Sequence, residues 1–318
     1  MLDILAITGP IYLCIVLGYV SVWRGWFAPA DLRVLGRFVV QFALPALLFN
    51  AIASRSLGEV LNPSYLVAYA LGSVSLLLGA LWFARRVGGH SRSASATVAM
   101  GMCCSNSGYV GYPVLMLTMG PIAGVVLALN MLVENLFKIP LLLAVGDSEG
   151  QAHANLWHTL RQTAKGLATN PMIACIVLGL LFTLLGWQLP GPVARTVNLF
   201  ASASTALSLF VIGGTLVGLQ VRGLRRQVAQ IVFGKLVLHP LLVLAAVAGL
   251  PWMGLPPLSA ELRTGALLMA AMPMMGIYTI LAQRHGHQAI AAASLLVATV
   301  VSFFTLSGLL WVLKAFPT

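Results

Sequence analysis

The stretch that decides the fold reads Met100-Gly-Met-Cys-Cys-Ser-Asn-Ser-Gly-Tyr-Val-Gly-Tyr-Pro113. It sits inside an apolar run, Ala94–Met119, long enough to cross a hydrocarbon core of roughly 30 Å. Three polar side chains, Ser105, Asn106 and Ser107, are followed by Gly108, Gly111 and Pro113. Glycine permits an unwound backbone, and proline removes an amide donor. Non-helical backbone is tolerated at membrane depth only where it is buried in protein or lines a cavity. The segment therefore reads as a broken helix inside a bundle.

The rest of the chain has the composition of such a bundle. Its 318 residues are 59% hydrophobic and 8% charged, with a net charge of +11 and a mean hydropathy of +0.96. A soluble chain carries about 25% charged residues. Disorder, a soluble enzyme domain and nucleic-acid binding are excluded on that ground. Ten spans are expected, at Ile4–Val22, Leu35–Ala53, Tyr65–Ala84, Ala94–Met119, Pro121–Val145, Asn170–Trp187, Val193–Leu219, Ile231–Leu250, Leu262–Ala282 and Gln288–Leu313. Twelve basic residues fall in, or at the margin of, connections after odd-numbered spans: Arg24, Arg33, Arg37, Arg85, Arg86, Arg92, Arg161, Lys165, Arg222, Arg225, Arg226 and Arg284. Only Arg55, Arg195, Arg263 and Lys314 lie on the other side. Cytoplasmic loops concentrate Lys and Arg. Both termini are thus expected outside, with a cytoplasmic linker at 146–168, in a multi-pass membrane protein. The first span is expected to be retained. It lacks a basic leader, carries Asp3 and exceeds a typical signal-peptide apolar region.

The chain also repeats itself. Thr8-Gly-Pro-Ile-Tyr-Leu-Cys-Ile-Val-Leu-Gly18 matches Thr169-Asn-Pro-Met-Ile-Ala-Cys-Ile-Val-Leu-Gly179, and the same 161-residue offset pairs Leu48-Phe49 with Leu209-Phe210. The unit holds five spans, residues 1–145 and 169–318. An odd number inserts the second copy upside down, as in secondary transporters. Span nine, the counterpart of span four, carries Met272-Pro-Met-Met-Gly-Ile-Tyr-Thr279, and Gly276 aligns with Gly108 at an offset of 168. Paired breaks at corresponding positions point to a binding site, where positive half-helix ends favour an anion.

Here the chain resembles the auxin efflux carrier family, compact bacterial type. The likeness rests on Pro10 with Leu17-Gly18-Tyr19, Leu44-Pro45-Ala46-Leu47-Leu48-Phe49, Ser105 through Pro113, and Asn170-Pro171. It covers nearly the whole chain. It implies an all-α polytopic membrane protein of ten transmembrane helices in two inverted five-helix repeats, with broken crossover helices four and nine. It further implies a scaffold from helices 1, 2, 6 and 7, a transport unit from helices 3–5 and 8–10, and a homodimer through the scaffold. The family's crossover asparagine binds a substrate carboxylate; Asn106 matches it.

The expected substrate-binding set is Asn106, Ser105, Ser107, Gly108, Tyr109, Gly111, Pro113, Pro273, Met274, Gly276, Tyr278, Thr279 and Asn50. Ionisable residues inside spans are costly and mark function. Span five carries Asn130, Glu134 and Lys138 at four-residue spacing, one helix face. Span eight carries Lys235 and His239, also four apart. These five form the expected coupling or charge network. Lys138 and Lys235 could instead snorkel to the cytoplasmic face. Cys14, Cys103, Cys104 and Cys175 fall inside spans and read as packing residues, and no metal set has ligand spacing. No phosphate-binding loop and no hydrolytic group is present. No cofactor is expected, with coupling to protons or sodium left open by the residues. The expected function is secondary active transport of a small organic anion, a mono- or dicarboxylate, by alternating access. The alternatives are a sodium-coupled organic-anion symporter of similar crossover fold and, furthest from the residues, an intramembrane enzyme or receptor.

Overall fold

The computed structural model describes residues 2–53, 55, 58, 61–147, 168–218, 225–276, 278–283 and 286–315. The expected cytoplasmic linker lies almost wholly outside the described residues. What is described is almost entirely helical. Among the described residues six helices are long and apolar enough to cross a membrane: Pro29–Ala53, Pro63–Arg86, Ile122–Leu142, Gly191–Thr215, Arg226–Met253 and Gln288–Leu313. Shorter apolar helices run Gly9–Trp23 and Pro171–Leu185. Large apolar side chains cover the outer surface. Trp23, Trp26, Trp82, Trp187, Trp252 and Trp311 are exposed, the placement of interfacial anchors in a multi-pass membrane protein.

In chain order the elements are α1 (Leu2–Trp23), α2 (Pro29–Phe38), α3 (Leu44–Ala53), α4 (Pro63–Arg86), α5 (Arg92–Cys103), α6 (Tyr112–Met119), α7 (Ile122–Val133), α8 (Ile139–Asp147), α9 (Pro171–Leu185) and α10 (Gly191–Thr215). They continue with α11 (Arg225–Phe233), α12 (His239–Gly249), α13 (Ala260–Ala271), α14 (Tyr278–Gln283) and α15 (Gln288–Ala315). Four wide π turns interrupt the helices, at Val39–Ala43, Ser107–Gly111, Glu134–Lys138 and Gly234–Leu238. Each ends two residues before a proline: Pro45, Pro113, Pro140 and Pro240. A proline withdraws one N–H from the ladder and its ring crowds the preceding turn. Widening that turn is a local way to keep the chain helical through it.

Two genuine breaks remain. α5 ends at Cys104, which is extended (φ −95°, ψ 119°). α13 ends at Met272 (φ −63°, ψ 152°), as the following Pro273 dictates. Both broken helices begin on a serine cap. Ser91 accepts from Ala94 N at 3.2 Å, and Ser259 accepts from Leu262 N at 3.3 Å.

The chain divides into two compact units. The first comprises Met1–Asn62, Ser107–Leu129 and Ala168–Gly218. Its helices approach through glycine, as membrane helices do. A Cβ on Gly18 would collide with the carbonyl of Phe210, and one on Gly213 with the carbonyl of Ile15, so α1 and α10 touch backbone to backbone. Similarly Gly179 of α9 faces Ile52 and the Phe49 carbonyl of α3, at 3.0 and 3.3 Å from an added Cβ. Under the 161-residue offset, the Gly18–Phe210 contact maps onto Gly179–Phe49. Thr183 fastens the second pair by donating to Ile52 O at 2.9 Å.

The second unit comprises Pro63–Asn106, Asn130–Leu167 and Leu219–Thr318. Its core gathers residues such as Leu77, Ala99, Cys103, Ile231, Met274 and Tyr278. Close packing is again glycine-led. An added Cβ on Gly72 of α4 would meet Val243 backbone at 2.7 Å, and one on Gly101 would meet the Tyr278 hydroxyl at 2.7 Å.

Candidate functional site

Within the second unit the two breaks lie against each other. Ser105 and Met274 form an isolated antiparallel bridge, and Asn106 N donates to Pro273 O at 2.8 Å. Applying the 168-residue offset to one contact generates the other: Ser105 pairs as Pro273 does, and Asn106 as Met274 does. These are bonds that the helical ladders no longer supply at the breaks.

Around this junction is a buried polar network. Glu134 Oε1 accepts from Ser105 N at 2.8 Å and from Lys138 Nζ at 3.1 Å. Lys138 Nζ also donates to Cys103 O at 2.9 Å and lies 4.9 Å from the ring centre of Tyr69. On the other side, Lys235 Nζ donates to Ala270 O at 2.6 Å and Ser105 Oγ at 3.0 Å, and lies 3.0 Å from His239 Nδ1. His239 Nε2 is 2.9 Å from Ser73 Oγ. An ammonium has no acceptor site, so His239 Nδ1 accepts from a charged Lys235 and Nε2 carries the ring proton towards Ser73.

The arrangement has a simple electrostatic sense. A helix exposes partial negative charge on its last carbonyls. Cys103 and Ala270 are such carbonyls, at the ends of α5 and α13. Each break therefore receives one lysine. Both lysines are fully buried and held inward, so neither snorkels. Glu134 and Lys138 bound a π turn instead of lying on a regular α-helical face, yet their side chains still meet.

The other expected residues divide. Asn130 is fully buried beside this network and hydrogen-bonds Tyr69. Tyr278 is buried, and its hydroxyl has no hydrogen-bond partner among the described residues. Thr279 donates to Gly276 O at 3.2 Å, which holds the turn after the second break. In the first unit, Ser107, Gly108, Tyr109 and Gly111 form the π turn that leads through Pro113 into α6. Tyr109 there donates to Gly36 O at 2.9 Å and so clasps α2. Asn50 donates to Asn198 Oδ1 at 2.8 Å. Both line a cavity of about 680 Å³ with Arg55, Tyr112, Ser202 and Thr205.

Tyr69 and Ser73 were not among the expected residues. Tyr65, Tyr69 and Ser73 recur every four residues on one face of α4 and are all buried. That spacing was the available signal. Tyr69 OH lies 3.3 Å from Ser105 Oγ, a long contact, and the ring itself faces Lys138. Tyr69→Phe is therefore expected to lower stability by about 1–2 kcal/mol, as loss of two neutral hydrogen bonds, to Ser105 and Asn130, does. Tyr69→Ala, which removes the ring, should cost several times more. Thermal unfolding in detergent compares the two.

Residues 8–310 match the family described as Membrane transport protein. The chain belongs to this family, that of the auxin efflux carriers. Named relatives agree at low identity. The chain is 26% identical over 321 residues to the "Putative malonate transporter" of Rhizobium meliloti (strain 1021), covering 99% of this chain and 97% of that one. It is 27% identical over 245 residues to the "Uncharacterized transporter YfdV" of Escherichia coli (strain K12), 74% and 75% of the two chains. It is 30% identical over 154 residues to "Auxin efflux carrier component 2" of Arabidopsis thaliana, 47% of this chain and 23% of that one. A membrane transporter of this family sits in the lipid bilayer, and its relatives are named as transporters, not enzymes.

Proposed function

We propose that the protein is a secondary active transporter of a small organic anion, a mono- or dicarboxylate such as malonate, malate or an auxin-like acid, working by alternating access. The observation that carries this reading is the pair of helix breaks bonded to each other beside a buried Glu134–Lys138–Lys235 network. Such breaks have no structural purpose in a plain bundle, and an excess of one positive charge beside them suits an anion. The carboxylate sits at the junction, held by Asn106 with Ser105, Ser107 and the backbone amides freed by the breaks.

The ten segments are then two inverted five-helix repeats with crossed helices four and nine. Two contact pairs that exchange under the repeat offsets support this, since a two-fold pseudo-axis makes contacts occur in such reciprocal pairs. The scaffold is helices 1, 2, 6 and 7, and the transport unit is helices 3–5 and 8–10. The two compact units support that division, with residues 107–129 counted alongside the scaffold helices. Within the first unit, Arg55 and the Asn50–Asn198 pair line a polar cavity whose cation attracts anions. The names of the malonate and auxin relatives support a carboxylate as substrate. Sorting of basic residues supports both termini outside, while a bacterial inner membrane and the homodimer through the scaffold follow the family resemblance.

Reconstituted vesicles test this reading. Labelled malonate, malate and indole acetate should exchange across the bilayer without ATP and emerge unchanged. Asn106→Ala should abolish that exchange while the purified protein keeps its unfolding temperature within a few degrees. Normal exchange by Asn106→Ala removes Asn106 from the site. Strict dependence on sodium would favour the sodium-coupled symporter instead.

A further inference from the structure

We infer that Lys235 is the proton carrier of the transport cycle, with His239 and Ser73 as its relay; this rests on the transporter reading above and names its coupling ion. The buried charges at the junction differ in one respect. Lys138 is neutralised by Glu134 at 3.1 Å. Lys235, equally buried, meets only neutral acceptors: Ala270 O, Ser105 Oγ and His239 Nδ1. It has no carboxylate partner among the described residues. The titratable groups facing it are His239 on its own helix, Lys138 and Glu134 from the π turn of span five, and Cys103 and Cys104 at the end of α5. Tyr69 reaches it through Ser105. α13 brings only a carbonyl, its Glu261 and Arg263 lying at the opposite end, and α15 brings no titratable side chain before Lys314. With Lys235 charged, Glu134, Lys138 and Lys235 sum to one uncompensated positive charge.

An uncompensated buried charge is costly to carry through a low-dielectric barrier. Two states of the junction avoid it. In one, the substrate carboxylate lies beside Ser105 and Asn106 and cancels the charge of Lys235. In the other, the site is empty and Lys235 is a neutral amine. The proton moves from Nζ to His239 Nδ1 at 3.0 Å, while the ring proton on Nε2 moves towards Ser73 Oγ at 2.9 Å. Ser73, itself fully buried, takes that proton as it passes its own hydroxyl proton to water admitted when the empty site opens. Lys235 ends as an amine, His239 as a neutral ring protonated on Nδ1, and one proton is released. Reloading reverses each transfer. The carrier thus crosses loaded with one carboxylate charge plus one proton, a dicarboxylate entering as its monoanion, or empty with neither. Coupling follows from electrostatics at Lys235 and needs no separate ion site.

The test uses full-length protein in sodium-free vesicles. The probe is whichever labelled acid of the panel exchanges best, malonate being tried first. Wild type should accumulate it against its gradient when the outside is made acidic, and a trapped pH dye should report protons entering with it. Lys235→Gln, which removes the cation that balances the anion, should lose both accumulation and exchange, whereas Lys235→Arg, which keeps that charge but holds its proton, should lose accumulation while a reduced exchange remains. The arginine variant keeps the positive charge, so it separates proton release from capping of Ala270. Accumulation driven by the pH gradient in either folded variant overturns the inference. Should neither variant fold, wild type decides: accumulation indifferent to the pH gradient also overturns it. Failure of the transporter reading looks different, since no acid then exchanges even in wild type.

Discussion

Lys138→Met should be the most destabilising single change in the charge network, by about 3–5 kcal/mol, the cost of leaving one member of a buried ion pair unpaired. The reason lies in what stays behind. Glu134 would keep Ser105 N as a donor but lose the cation 3.1 Å away, in a site only 2% exposed. The Cys103 carbonyl would also lose its donor, at a helix end already carrying partial negative charge. The double variant Lys138→Met with Glu134→Gln removes both charges. It should recover most of the loss, since a neutral amide can still accept from Ser105 N. Thermal unfolding of the four proteins in one detergent gives the coupling by a double-mutant cycle. A Lys138→Met protein within about 1 kcal/mol of wild type, the range of exposed pairs, would mean that the pair is solvated in the membrane-embedded protein.

That prediction depends on a direction that sequence could not supply. The four-residue spacing of Glu134 and Lys138 was visible, and so was the chance of their pairing. Whether Lys138 turned inward or snorkelled depended on an acceptor 35 residues away, Cys103 O. The same holds for Lys235 and Ala270 O. Helix breaks were legible because Gly, Pro and clustered polar residues have local backbone consequences. Ser91 and Ser259 as caps, and the turn at Gly120 with φ 67°, are equally local. Ser73 escaped because a serine in an apolar helix usually just bonds its own backbone, and Tyr69 because a tyrosine there usually just packs. Only the tertiary partners, Ser105 and His239, distinguish them. Tyr109 is the converse case. It lies in the most polar motif of the chain, yet its hydroxyl is spent on Gly36 O. The π turns are an intermediate case. Each precedes a proline by a fixed interval, but whether a helix answers a missing donor by kinking or by widening is decided by its neighbours.

Glycine contacts carry the second large expectation. Gly18 and Gly213 are the points where α1 and α10 touch, and in each case an added methyl would overlap a main-chain carbonyl oxygen. A carbonyl fixed in a helix cannot rotate away as a side chain can. Gly213→Ala and Gly18→Ala should each cost about 3 kcal/mol or more, the upper range of overpacking, because relief requires the helices to separate. Gly179 tests the argument from the other copy of the repeat. It aligns with Gly18, and its contact with Phe49 mirrors that of Gly18 with Phe210. Yet an added Cβ lies 3.3 Å from the Phe49 carbonyl and 3.0 Å from Ile52 Cβ, a tight but adjustable fit. Gly179→Ala should cost about 1 kcal/mol, the low end of overpacking. The two repeats thus share a contact but differ in closeness. Unfolding temperatures of the three alanine variants read this directly. Equal losses at Gly18 and Gly179 would show that the α1–α10 approach is looser than the backbone distances state.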